Sequence, residues 1–497
     1  MNKHIINTIC ILGLILGLCS CKDFGDMNVD PNNASTTHPQ FQLTKIQWNA
    51  FRDFGGTGPL YANKMLVQTD GENANQYYKW ARGSFEAYGN LRDITKMMEE
   101  AERIGDNRYI ALAKFFRAYY FYNLTLTFGD IPYSDALHAE KDQTHVTPFY
   151  DEQKQVFKGI LKELAEANDL LKSSEVAIEG DIIYDKSVVK WRKLVNVFRM
   201  KVLLTLSKRT GDSEFNVVSS FASIVGSEPI FASEADDAQL VFKDQDGNRY
   251  PEFNSSSFGS GMYMDSTFIQ RLQERQDPRL FVFSARTKLA KESGKAVNDF
   301  SAYEGGDPAA PYAQVNTKAT LGKVSKVNER YYSEPTTEPR VLIGFAEQEF
   351  ILAEAVVRGW INGDAKLHYD SGVKASFKFY ESNTKEYKQY FTDAVVQSYL
   401  ERPLTRFSNS ATTEVKLEQI MMQKYLQSFF QSGWTSFYDH LRTGYPSFRR
   451  PSGVSVPFRW IYPQSEYNYN SANVSEAIRR QFGEGKDLIN QPTWWIK

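Results

Sequence analysis

Helical periodicity constrains this chain more than any other feature. Val156, Ile160, Leu164, Ala167 and Leu171 follow the i, i+4, i+8, i+11, i+15 spacing of one helix face, with Lys162, Glu163 and Glu166 among the opposite positions. Trp191, Leu194, Val195, Phe198, Val202 and Leu206 form a second stripe of the same kind. Residues 109–128 are apolar nearly all round, which predicts a helix buried between neighbours and stopped by Gly129-Asp130 and Pro132. Further stripes run over 345–360, 373–380, 387–400 and 417–430. A helix with one apolar stripe must cover it, so the stripes pair: 109–128 with 151–173, 187–209 with 214–225, 345–360 with 370–381, and 414–430 with 434–443. Helix pairs of this size are the unit of tetratricopeptide-type solenoids, although the strict repeat of about 34 residues is absent. The expected fold is mainly α: a tetratricopeptide-like helix-pair solenoid over 109–225 and 345–443, broken by a large irregular, loop-rich insertion over 227–340. There Gly, Ser, Asn, Pro and Tyr replace the helical pattern. So long an irregular stretch is either functional or disordered, and its aromatic content argues against disorder.

With 42% hydrophobic residues the chain has apolar surface enough for one body, expected to span 41–497. A net charge of −2 lacks the basic excess that a phosphate backbone requires, which argues against nucleic acid as a partner. All three cysteines, Cys10, Cys19 and Cys21, precede residue 22, so the body has no disulfide, no zinc-cysteine site and no cysteine nucleophile. Lys3, the apolar run from Ile5 to Leu18 and the junction Leu18-Cys19-Ser20-Cys21 read as a signal peptide over 1–20. The run is shorter than the roughly 20 residues that span a bilayer core. Leu-Cys-Ser-Cys resembles a bacterial lipobox, which makes Cys21 the expected lipidation site. Residues 21–40, rich in turn formers, are then a lipidated tether.

Sequence signatures of catalysis are scarce. No Gly-x-x-x-x-Gly-Lys loop, Gly-x-Ser-x-Gly elbow or His-Glu-x-x-His helix occurs. The six histidines, His4, His38, His138, His145, His368 and His440, show no ligand spacing, so neither metal nor cofactor is expected. His440 in Tyr438-Asp439-His440 fits a packing role better than that of a base. A glycosidase pair among 60 carboxylates is set by geometry and stays open on sequence alone. Asp244, Asp246 and Asn248 alternate like the first ligands of a calcium loop, but Arg249 and Ser255 stand where its glycine and glutamate belong. A hairpin turn at Asp246-Gly247 is the better reading.

Aromatics are in excess: 34 Phe, 28 Tyr and 8 Trp. Core packing explains most of them. Tyr77, Tyr78 and Trp80, beside Asn75 and Gln76, and Tyr263, Tyr303, Tyr331 and Tyr332 of the insertion are the candidate ligand residues. An aromatic face flanked by amides suits a sugar, which has an apolar C–H face and a rim of hydroxyls. For each residue alone, packing between helices is the stronger reading.

Five stretches in order then carry a resemblance. Asn28-Val29-Asp30-Pro31-Asn32, Ala113 to Phe121 with Phe128-Gly129-Asp130-Ile131-Pro132, Asp277-Pro278-Arg279-Leu280, Leu352-Ala353-Glu354-Ala355, and Arg442-Thr443-Gly444-Tyr445-Pro446 resemble the SusD/RagB-like outer-membrane lipoproteins. Tyr462 to Asn468 and the terminal Trp494-Trp495 extend the likeness. These residues look structural: Gly129 and Gly444 as helix terminators, Arg442 as partner of a buried carboxylate. The resemblance implies a SusD-like α-α superhelix and a cell-surface, outer-membrane, lipid-anchored binding protein without catalysis. It also implies a SusC-like TonB-dependent transporter as partner and an oligosaccharide as cargo. A peptide cargo, or a scaffold without small cargo, are the alternatives. Ligand positions vary in this family, so the candidates above rest on composition and location.

Overall fold

The computed structural model describes residues 36–139 and 145–497 apart from 53 and 55, so Cys21, the signal peptide and the tether up to residue 35 lie outside the described residues. The larger helices are α1 (Pro39–Arg52), α2 (Ala87–Ile104), α3 (Asn107–Phe128), α4 (Gln153–Lys172), α5 (Val188–Thr205) and α6 (Val217–Ser227). They continue with α7 (Phe345–Val357), α8 (Ala365–Asn383), α9 (Thr413–Gln427), α10 (Thr435–Thr443) and α11 (Ser471–Phe482). Local chemistry sets their ends. The Asp106 carboxylate accepts from the Arg108 N–H at 3.0 Å to open α3, and Ser187 Oγ accepts from the Lys190 N–H at 3.3 Å to open α5. Gly129 ends α3 at φ +94°, and a Cβ there would lie 2.2 Å from Gln481 Oε1, so both the dihedral and the close approach require glycine.

α3 packs against α2 and α4 and also touches α1 and α5, which is why it has no polar face. Phe115 and Phe116 each meet the Trp191 ring of α5 at 5.8 Å. α4 continues onto α5 and α5 onto α6; α7 packs on α8 and α9, α9 on α10, and α5 contacts α7 to join the two groups. Among the described residues the chain is thus mainly helical, as expected. Four of the larger elements differ from the periodicity, among them α1 and α11, for which no stripe was expected. α2 escaped it, with only Leu91, Ile94, Met97 and Ala101 buried on a highly charged helix. The stripe over 387–400 is helical over Asp393–Leu400 after one 3₁₀ turn, because Phe391 turns inward against Phe377 and Tyr380 at 5.7 and 5.6 Å.

The insertion is ordered by short helices and two antiparallel ladders. β1 (Leu66–Gln68) pairs with β3 (Met262–Met264), and β2 (Ala238–Leu240) with β4 (Arg340–Ile343). Residues 243–248 do form a turn, with Lys243 N–H donating to the Asn248 carbonyl at 2.9 Å and Gly247 at φ +76°. The hairpin reading is corrected in its flanks: Leu240 pairs with Arg340 of β4, and Tyr250 is buried edge-on to Phe242 at 5.3 Å.

Asn28 to Asn32 lie outside the described residues; the motif residues that are described include structural partners. Arg279 and Asp277, both 0% exposed, share two hydrogen bonds of 2.9 and 2.6 Å, and Gln423 takes a third from Arg279 at 2.9 Å. The C-terminal segment returns to the elbow after α3, where the Tyr462 hydroxyl donates to the Asp130 carbonyl at 2.6 Å and Arg480 pairs with the Asp130 carboxylate at 2.6 Å. Among the described residues no helix is long and apolar enough to cross a membrane.

His440 sits at the end of α10, its Nδ1 2.8 Å from the Pro446 carbonyl and its ring 4.5 Å from Phe448. This is packing rather than catalysis. Burial pushes its imidazole down to about 4. Below about pH 6.5 the unfolded chain takes up a proton that the folded one refuses, so stability falls with pH until about 4. Urea unfolding at pH 7 and pH 5 should show His440→Gln spared roughly 2 kcal/mol of the loss seen in the unmodified protein; equal losses would refute the assignment.

Candidate ligand-binding face

Loops 69–79, 304–312 and 447–454 converge around the β1–β3 ladder. Register places Val67 opposite Tyr263 and Gln68 opposite Met262, and the Thr69 N–H continues the pairing to the Gly261 carbonyl at 3.1 Å. The loop after β1 is organised by its own amides. Asn73 Oδ1 accepts from the N–H groups of Asn75 and Gln76 at 3.0 and 3.1 Å. Gln76 Oε1 accepts from the Gln68 N–H at 2.8 Å, and its Nε2 donates to the Pro308 carbonyl at 3.3 Å. The Tyr77 hydroxyl donates to the Ala310 carbonyl at 2.8 Å. These bonds clamp the first loop to the second.

A bidentate pair fastens the third. Arg449 Nε and Nη2 donate to the two Asp307 oxygens at 2.7 and 2.6 Å, and this fork holds the carboxyl below the usual carboxylate range. Beside it opens a shallow depression of about 520 Å³ lined by Thr267, Arg271, Phe448, Arg449, Arg450 and Ser452, among others. Arg450 Nε donates to the Val454 carbonyl at 2.7 Å. The exposed rim carries Asp70, Glu72 and Lys79, and Tyr312 is 36% exposed.

A buried lysine and a buried carboxylate support the face from beneath. The Lys64 ammonium lies 3.7 Å over the Tyr78 ring and donates to the Gln76 carbonyl. Asp265 caps the helix Ser266–Glu274, accepting from Thr267 N–H at 2.6 Å, and so positions Thr267 at the depression. Burial pushes the Lys64 ammonium down and the Asp265 carboxyl up, each opposed by the other's charge.

The seven aromatic candidates do not share one surface. Tyr263 is half-buried on the face, with Lys326 Nζ 5.5 Å from its ring, and Tyr77 is clamped there by its hydroxyl, its ring 6% exposed. Tyr332 is half-buried and stacks on Phe258 at 5.9 Å. The other four candidates are covered by protein neighbours, in keeping with the packing reading of each residue alone. Tyr78 bonds to the Ala62 carbonyl at 2.8 Å under the Lys64 ammonium. Trp80 stacks on Trp460 at 3.5 Å. Tyr303 donates to the Val297 carbonyl at 2.7 Å, and Tyr331, 0% exposed, lies 4.7 Å from the Phe430 ring. Sequence reasoning missed Arg449, Arg450 and Asp307. The Arg449-Arg450 pair before the turn Pro451-Ser452-Gly453 was the signal that could have marked them.

Among the described residues one group of potential metal ligands converges: Asp135, His138 and His145, with ligand atoms within 4.8 Å of one another. The His145–Asp135 ion pair at 3.1 Å accounts for part of that convergence.

The molecule is a mainly helical scaffold that holds an open, polar, arginine-bearing loop face. The chain belongs to the SusD-like family described as starch-binding and associating with the outer membrane, matched over residues 31–463. It is similar to an outer-membrane nutrient-binding candidate from Bacteroides vulgatus, with 50% identity and a TM-score of 0.90 over 93% of this chain and 100% of that one. A SusD homolog from Bacteroides fragilis has 54% identity and a TM-score of 0.88, and a second from the same species 32% and 0.86, each over 93% of this chain and 100% of its own. No curated protein sequence matches the chain.

Proposed function

We propose that the chain is a non-catalytic outer-membrane lipoprotein, anchored through Cys21 and facing the cell exterior, that captures oligosaccharide on the loop face and delivers it to a SusC-like TonB-dependent transporter. The observation that carries this reading is the open depression beside the Arg449–Asp307 fork, floored by Phe448 and joined through Tyr77 and Gln76 to the amide-rich loop and Tyr263. Arginine and amide groups beside a half-buried ring suit the hydroxyl rim and apolar face of a sugar. The depression is open along its length, which suits a chain that extends beyond the contacts. Family membership and the outer-membrane relatives support the location.

Calorimetry against maltooligosaccharides, other glycans and a peptide panel tests the proposal. Saturable glycan binding is expected, with no reducing ends released over long incubation. Tyr263→Ala should weaken it about three- to tenfold without changing the unfolding midpoint. Binding of peptides alone, or accumulation of reducing ends, would overturn it.

A further inference from the structure

A second concavity, of about 480 Å³, is enclosed by α3, α5, α7, α9 and α10. It shares no lining residue with the loop face. Ser84, Ala87, Tyr119, Asn123 and the turn 432–435 form its mouth, all exposed or half-exposed. Tyr120, Phe198, Leu204, Tyr438 and Trp495 form its depth, each no more than 8% exposed. Its volume lies within the roughly 300–1,000 Å³ of small-molecule sites.

The lining defines the chemistry. Charges there are mutually paired: Lys201 with Glu347 at 2.9 Å, Lys424 with Asp439 at 2.6 Å, and Arg442 with Asp439 at 2.7 Å and with Glu354. Paired charges offer donors and acceptors side by side and no net charge, so an ion gains nothing over a neutral molecule. The opposite walls are phenol, benzyl and indole rings, which favour a ligand with an apolar face. A small polyhydroxylated ring without charge meets all of these demands at once.

We propose that this cavity is a second, enclosed carbohydrate site that takes one neutral monosaccharide or a disaccharide, independently of the loop face. The test uses glucose, galactose, N-acetylglucosamine and maltose as probes, with calorimetry and tryptophan fluorescence on the full protein. At least one sugar should bind saturably and change the emission, because Trp434 and Trp495 line the cavity. Ala87→Trp, which places bulk at the mouth, should weaken binding at least about tenfold, and Asn123→Ala, which removes a half-buried amide from the mouth, about three- to tenfold. Arg449→Ala on the loop face should leave it unchanged. Failure of all four sugars to saturate would overturn the proposal, as would binding that ignores both cavity variants or disappears with Arg449→Ala. Loss of loop-face binding with Arg449→Ala while cavity binding persists keeps the two sites separable.

Discussion

Arg442→Ala is expected to lower the free energy of unfolding by about 3–5 kcal/mol, the cost of breaking a buried ion pair from one side. The guanidinium is 6% exposed and bonds Glu354 Oε2 at 2.9 Å and Asp439 Oδ1 at 2.7 Å, with Glu354 itself 0% exposed. Removing it strips two carboxylates of their main partner. Lys424 and Arg358 remain, at 2.6 Å from Asp439 and 2.7 Å from Glu354, and keep the cost finite. Lys424 and Arg442 hold the Asp439 carboxyl down at about 2 against burial, so the contribution is present above the unfolded value near 4 and lost as pH falls through 2. Arg442→Lys keeps the charge and loses the fork, so it should fall between. Urea unfolding at pH 7 decides the matter: a loss under about 1 kcal/mol would mean that the network is not a stability determinant.

Trp80→Ala is expected to cost a further large amount, about 3–5 kcal/mol, and to do so in the absence of any ligand. The indole stacks on Trp460 at 3.5 Å and 16°, meets Trp434 edge-on at 5.6 Å and lies 5.0 Å from Phe437. Truncation opens a cavity among three aromatic rings that have no small rotamer to fill it. The same variant distinguishes a packing role from a ligand role. If the unfolding midpoint is unchanged and only glycan affinity falls, Trp80 belongs to a ligand surface and its stack with Trp460 is incidental.

Fold and site were legible to different degrees for a physical reason. A stripe such as Val156, Ile160 and Leu164 carries its meaning locally, since spacing alone determines which face must be covered. α2 was hidden because Arg92, Asp93, Glu99, Glu100, Glu102 and Arg103 dilute four buried anchors to one per turn. The aromatic candidates misled because ring content does not encode burial. What covers Tyr331 is Phe429 and Phe430, about a hundred positions away, and nothing near Tyr331 announces them. Likewise Arg449 becomes a site residue only through Asp307, 142 positions earlier. Tyr77, Tyr78 and Trp80 shared one local cue, the adjacent amides, yet each is at most 6% exposed, whereas Tyr263 stays half-buried on the face.

The seam between residues 81–83 and 461 bears on how the chain is made. The Gly83 N–H donates to the Ile461 carbonyl at 2.8 Å and the Ile461 N–H to the Ala81 carbonyl at 3.1 Å. Trp495 then lies 1% exposed beside Tyr438, and Arg209 reaches the carbonyls of Trp494 and Lys497. Early helices therefore wait for residues 461 and 494–497 before their final wall exists. Contacts across so wide a span close late, because loop entropy must be overcome first. A chain of this kind stays open, and exposed to capture by proteases and chaperones, until residues 461–497 are in place to close it.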